Sequence, residues 1–118
     1  MQRYEDLEVY QRGIRLSEQT WEIVRKWPYF HKDTLGKQIV RAADSIPANI
    51  AEGYGRYTFK ERIRFCHFSR GSLFEFETHL MLAQSRGLVD QTMYSRLKEE
   101  AGTLSRLLTR LHSSFKKK

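Results

Sequence analysis

A chain of 118 residues with one cysteine, 40% hydrophobic content and a formal charge of +7 is long enough for one domain with its own core, and is expected to fold without disulfides or metal. No run of about 18 apolar residues and no apolar N-terminal segment occurs, so neither a transmembrane helix nor a signal peptide is expected, and the reading is cytoplasmic. The basic excess is C-terminal, seven Lys and Arg against two Asp and Glu from position 91 onward, a balance that suits a polyanion partner and equally occurs in helical proteins by chance.

Leu7, Tyr10, Ile14, Ser17, Trp21 and Val24 alternate steps of three and four, and Val9, Leu16 and Ile23 add a second stripe, which predicts a first helix over about 4–26. Gly13 within it predicts close approach of a neighbour. Trp27 and Pro28 break the pattern, and Asp33 or Thr34 can cap a second helix over about 34–52. Leu35, Ile39, Ala42, Ala43, Ile46 and Ile50 keep one face straight through Pro47. The helix is therefore expected to cross the proline and kink there, with Ser45 and Asn49 close enough to satisfy the freed carbonyl of Ala43. The alternative is a short helix stopped before Pro47 and followed by a loop. Gly53 and Gly55 then end the helix through positive φ.

Thr58 and Glu61 have the spacing of a capping box that opens a third helix, about 59–86. Its apolar residues cover more than one face, which predicts burial on several sides, either centrally or against another subunit. Ser69, Gly71 and Ser72 form a small-residue patch suited to meet Ala42 and Ala43. Gly87 stops this helix, and Asp90 can cap a last one over about 91–115, where Tyr94, Leu97, Ala101, Leu104, Leu108, Leu111 and Phe115 hold three heptads. Four helices with short connections predict an all-α fold, an antiparallel up-down-up-down four-helix bundle of one domain over 1–118.

No metal, cofactor or catalytic residue is expected. The paired Glu-x-x-His motifs of a di-iron bundle are absent, Glu75 and His79 stand at i, i+4 without a second copy, and His31, His67 and His112 lie at no mutual metal spacing. Cys66 on an apolar stretch reads as packing. Arg70, Glu75 and Glu77 sit among apolar residues of the third helix, where an unpaired buried charge is costly, which predicts a structural polar network with Asn49 and Glu52 of the second helix. Arg56, Lys60, Arg62 and Arg64 form a basic cluster opposed by Glu61, and Lys116, Lys117 and Lys118 a basic tail; these seven are the candidate contacts to nucleic acid. Trp27, Tyr29, Phe30, Tyr54 and Tyr57 fall in or beside connections, where they can stack on single-stranded bases next to the cluster or anchor a subunit interface.

Three stretches, Tyr4-Glu5-Asp6-Leu7-Glu8-Val9-Tyr10-Gln11, Ser45-Ile46-Pro47-Ala48-Asn49-Ile50-Ala51-Glu52-Gly53, and Arg64-Phe65 through Arg70-Gly71-Ser72-Leu73 to Glu77-Thr78, together resemble the small bacterial four-helix bundle proteins encoded within intervening sequences of 23S ribosomal RNA genes. Ser69 and Phe76 depart from the alanine and leucine expected there. The resemblance implies the bundle fold and a ring-like homo-oligomer, a homopentamer, and it brings no catalytic residues. At fold level the family is similar to the accessory variability proteins of diversity-generating retroelements, basic pentamers that bind nucleic acid and a reverse transcriptase; carrying that activity over is analogy. The expected function is thus a non-enzymatic homo-oligomeric bundle that binds RNA or DNA through basic surface residues. The alternative is a protein-interaction scaffold without intrinsic affinity for nucleic acid.

Overall fold

A computed structural model describes residues 3–116, and of Lys116 only the backbone. The protein is all-α, with no strand among the described residues. A 3₁₀ turn, Tyr4–Asp6, leads into α1, Glu8–Val24. A helical turn at Tyr29–His31 and a π-helical stretch at Lys32–Gly36 run without a break into α2, Lys37–Tyr54. Two long helices follow, α3 over Phe59–Ser85 and α4 over Gln91–Lys116.

The helices form a bundle in which α1 packs on α2, α2 on α3, α3 on α4, and α4 back on α1. Gly13 lies against Pro47 and Val24 against Gly36, Gly53 lies against Phe65 while Ser69 reaches Ile46, and His67 lies beside His112 while Gln84 reaches Gln91. At each contact the numbers fall on one helix as they rise on the other. A continuous core of Leu16, Ile46, Leu73, Phe76, Leu80, Leu97 and Leu104 fills the interior.

The helix ends follow from local chemistry. Thr58 Oγ1 accepts from the Glu61 amide at 3.2 Å, and Asp90 Oδ1 accepts from the Met93 amide at 2.8 Å, so each caps the helix that follows. Gly87, at φ 74°, closes α3 with the Leu88 amide donating to the Ala83 carbonyl, a bond geometry that needs a left-handed residue. The second helix differs from the sequence reading at both ends. It begins at Tyr29 after Pro28, so Thr34 is no cap but donates back to the Phe30 carbonyl, and Asp33 pairs with Lys37. Gly55 caps α2 at φ −83°, and Gly53 lies inside the helix, where a Cβ would meet Phe65 Cβ at 2.7 Å. Gly53 serves close packing of α3 on α2, and neither glycine has a positive φ.

Pro47 sits inside α2 and is buried. Without an N–H it cannot bond the Ala43 carbonyl. That acceptor is answered from another helix: Ser17 Oγ of α1 donates to Ala43 O at 2.9 Å. Ser45 and Asn49, expected to serve it, donate instead to the carbonyls of Arg41 and Ser45. Gly13, one turn before Ser17, admits the proline ring, since a Cβ there would stand 3.3 Å from Pro47 Cβ. On the opposite side Ser69 of α3, fully buried, donates to Ile46 O at 2.9 Å, which gives the serine at this position a role that alanine lacks. Gly71 of the small-residue patch is exposed and takes no part. Arg12 closes the α1–α4 seam by donating to Glu8 and, from Nη1, to both carboxylate oxygens of Glu100.

Replacing Ser17 by alanine should lower unfolding stability by about 1–3 kcal/mol, the usual cost of leaving a buried acceptor without its donor. In a Pro47→Ala background the restored amide can serve Ala43 O, so the same Ser17→Ala change should cost little. A double-mutant cycle by urea denaturation checks this; equal costs in both backgrounds would break the link.

Candidate nucleic-acid interface

The basic cluster after α2 divides into two parts. Arg62 donates from Nε to the Arg56 carbonyl at 2.8 Å, and its guanidinium lies among the rings of Phe59, Tyr54 and Phe115 at 5.5, 5.7 and 5.7 Å. It therefore ties the end of α2, the start of α3 and the end of α4 together. Arg56 donates to Glu52 at 2.6 Å and lies 4.7 Å over the Phe65 ring. Both arginines are half-buried and engaged within the fold. Lys60 and Arg64 are exposed; Arg64 makes a 3.6 Å contact to Glu61 and lies over Phe68. Of the tail, Lys117 and Lys118 lie outside the described residues, as does the Lys116 side chain.

The polar network expected between α2 and α3 does not form. Asn49 donates to the Ser45 carbonyl, Glu52 pairs with Arg56, Arg70 lies over the Phe74 ring at 5.2 Å, and Glu75 stands 3.9 Å from His79. Glu77 is half-buried and enters no cross-helix bond to the other four. Arg70 and Glu75 face solvent, so hydration replaces the partners that burial would have required. The apolar residues around them are exposed too: Phe68, Phe74, Met81 and Leu82 stand on the outer side of α3, with Phe74 at 47% and Met81 at 54%. The inner side of the same helix supplies Leu73, Phe76 and Leu80 to the core.

The aromatic residues of the connections separate likewise. Trp27 is buried, and its indole Nε1 donates to the Leu88 carbonyl at 3.2 Å, which ties the first connection to the third. Tyr54 packs against Phe115. Tyr29, Phe30 and Tyr57 are exposed.

The outer face of α4 was not singled out from the sequence. Leu97, Ala101, Leu104 and Leu108 point inward. Arg96, Arg106 and Arg110 stand on the opposite side, all exposed, with Glu99 as the acid among them and Arg106 donating to Thr103. They span about 21 Å along the helix at its ordinary rise. The signal was present in the C-terminal charge excess, but only the register of the core seam shows that these arginines share a face.

The chemistry available elsewhere is limited. Among the described residues no group of three or more His, Cys, Asp or Glu side chains lies close enough to hold a metal ion. His67 and His112, which linear spacing keeps apart, stack across α3 and α4 with ring centroids 5.1 Å apart. Cys66 beside them is buried, which pushes its thiol up to about 11 and keeps it neutral at ordinary pH. A hollow of about 600 Å³ between α1 and α4 is lined by apolar Ile23, Trp27 and Met93 and by the acids Glu18, Glu22 and Asp90, of which Glu22 pairs with Arg25 and Asp90 caps α4.

The family described as 23S rRNA-intervening sequence protein matches residues 5–110 of the chain. A crystal structure of a protein of unknown function from the S23 ribosomal protein family of Bacteroides thetaiotaomicron is similar to it, with a TM-score of 0.79 and 18% identity over 88% of this chain and 97% of that one. At that identity the likeness speaks for the fold. No curated protein matches the chain.

Because Arg62 is bound on all sides while Lys60 is free, the two should behave differently on truncation. Arg62→Ala should lower stability by about 1–2 kcal/mol through loss of its hydrogen bond and ring contacts, and Lys60→Ala should stay within about 0.5 kcal/mol. Chemical denaturation of the two variants checks the contrast.

Proposed function

The chain belongs to the family of 23S rRNA-intervening sequence proteins, and from that membership we propose a non-enzymatic bundle that assembles with copies of itself and binds RNA or DNA through exposed cations in the cytoplasm. No described helix is long and apolar enough to cross a membrane. The observation that carries the reading is the separation of two surfaces: an apolar outer side on α3, with Phe68, Phe74, Met81 and Leu82, and a basic outer side on α4, with Arg96, Arg106 and Arg110. Water-exposed Phe68 and Phe74 with Met81 and Leu82 suit contact with a second copy. Exposed arginines along one helix suit phosphates, whose neutralisation releases counterions. Lys60, Arg64 and the Lys116 to Lys118 tail add to the same charge, whereas Arg56 and Arg62 serve the fold first. A closed homopentameric ring is the proposed assembly, on the resemblance noted above. The description of the family makes ribosomal RNA the first polyanion to test.

A second reading, a protein-interaction scaffold without affinity for nucleic acid, is favoured by the α3 face taken alone. Two measurements separate them. The native mass at micromolar concentration should be a multiple of the 14.1 kDa chain, and Phe74→Glu should reduce it; a monodisperse single chain would remove the assembly. With labelled single-stranded RNA, binding that uses about three phosphate contacts should weaken about 20-fold between about 50 and 200 mM salt, and Arg106→Gln with Arg110→Gln should flatten that dependence. No binding at low salt would leave the scaffold.

A further inference from the structure

Trp21 on α1 carries an indole that the core does not use: it is 55% exposed, while the other tryptophan, Trp27, is buried at 7%. The Trp21 ring lines a hollow of about 320 Å³ between α1 and the beginning of the second helix, with Val24, Gly36 and Val40 as its apolar walls and Arg25, Lys32 and Lys37 beside them. Gly36 closes the floor of the hollow, because it lets the two elements meet where a Cβ would stand 2.8 Å from Val24 Cγ1. The same wall is the π-helical stretch Lys32–Gly36, a distortion that helices tend to keep at functional sites. A second, shallower hollow continues from Lys37 and Val40 past Arg41 and Asp44 to Ala48.

The charges around this groove favour an anion. Lys32 and Arg41 are exposed and enter no ion pair among the described residues. Lys37 pairs with Asp33 and Arg25 with Glu22, both at 2.8 Å, and Asp44 is the acid that lines the shallow hollow. Exposed Tyr29 stands close enough to Lys37 to contribute, well behind Asp33, to raising its pKa. A flat ring among cations suits a partner that offers both a π-face and phosphates. A duplex hides its base faces, and an apolar peptide would strip water from the lysines.

We propose that Trp21 is a stacking platform for a base of single-stranded nucleic acid, whose backbone passes Lys32, Lys37 and Arg41. The proposal rests on the reading that this chain binds a polynucleotide, and adds where one strand is held and why a single strand is preferred. The competing occupant is a second copy of the chain, which would have to bury these cations.

The test is anisotropy of a short unstructured oligoribonucleotide and of a duplex of the same charge, titrated with the full chain at low salt, together with native mass. Trp21→Ala should weaken single-strand binding about 5- to 150-fold, the range for loss of one base–aromatic stack, with duplex binding, salt slope and mass unchanged. Trp21→Phe should retain most of the affinity. Lys32→Ala and Arg41→Ala should each lower the salt slope by about one. Undiminished single-strand binding by Trp21→Ala, an equal loss on duplex, or an altered native mass would overturn the platform. Absence of all RNA binding in the wild-type chain would instead overturn the polynucleotide reading and the platform with it.

Discussion

One carbonyl sets the register of this bundle. Pro47 lies within a helix whose interior it should disrupt by about 3 kcal/mol, part of it the loss of the bond to Ala43 O. The fold meets that loss across the interface, with Ser17 donating to the carbonyl and Gly13 making room for the ring one turn away. A slip of α1 by one residue would misplace both. Ser69 repeats the device from the other side, on the carbonyl next to the proline. The helix that lacks the bond its proline cannot make is thus held by a hydroxyl from each of its neighbours, and its own small residues, Ala42, Ala43 and Gly53, let those neighbours come close.

The rest of the surface sorts around that fixed centre. At one end of the bundle Arg62 draws three helix termini together through a hydrogen bond and three rings, so a residue that looks like part of a binding cluster is mostly a fastener. At the other end Trp27 spans two connections by bonding the Leu88 carbonyl. Several acids that could neutralise the surface pair with a cation three or four positions away, as Glu52 does with Arg56, Asp33 with Lys37 and Glu22 with Arg25. The cations that stay unpaired among the described residues, Lys60, Arg96 and Arg110 among them, lie in the stretches of basic excess, and register decides that they face outward.

Periodicity carried the helical class because its signal repeats over many residues. The face through Pro47 and the heptads from Tyr94 to Phe115 needed no knowledge of partners. Gly13 was legible for the same reason, as an anomaly in a strong pattern. What could not be read was whatever depends on a residue far away in the chain. Gly53 looked like a terminator because its use is set by Phe65, and Ser17 looked like one seam residue among several because its acceptor is 26 positions on. The polar network failed for a related reason. Charges among apolar residues imply burial only if those residues are buried, and the outer side of α3 is not.

That outer side also decides which surfaces can act together. In the four-sided packing α3 is diagonal to α1, so its exposed phenylalanines point away from the edge where α1 meets α2. Self-association through α3 would cover Phe68, Phe74, Met81 and Leu82 and leave the Trp21 groove facing outward, a separation that a single amphipathic face could not provide. The arginines of α4 occupy the side between them, next to α3 and to α1. A ring closed on α3 would then carry its positive charge on its flanks. In the proposed ring, repetition would multiply weak contacts to one strand through effective concentration, without any single site having to be strong.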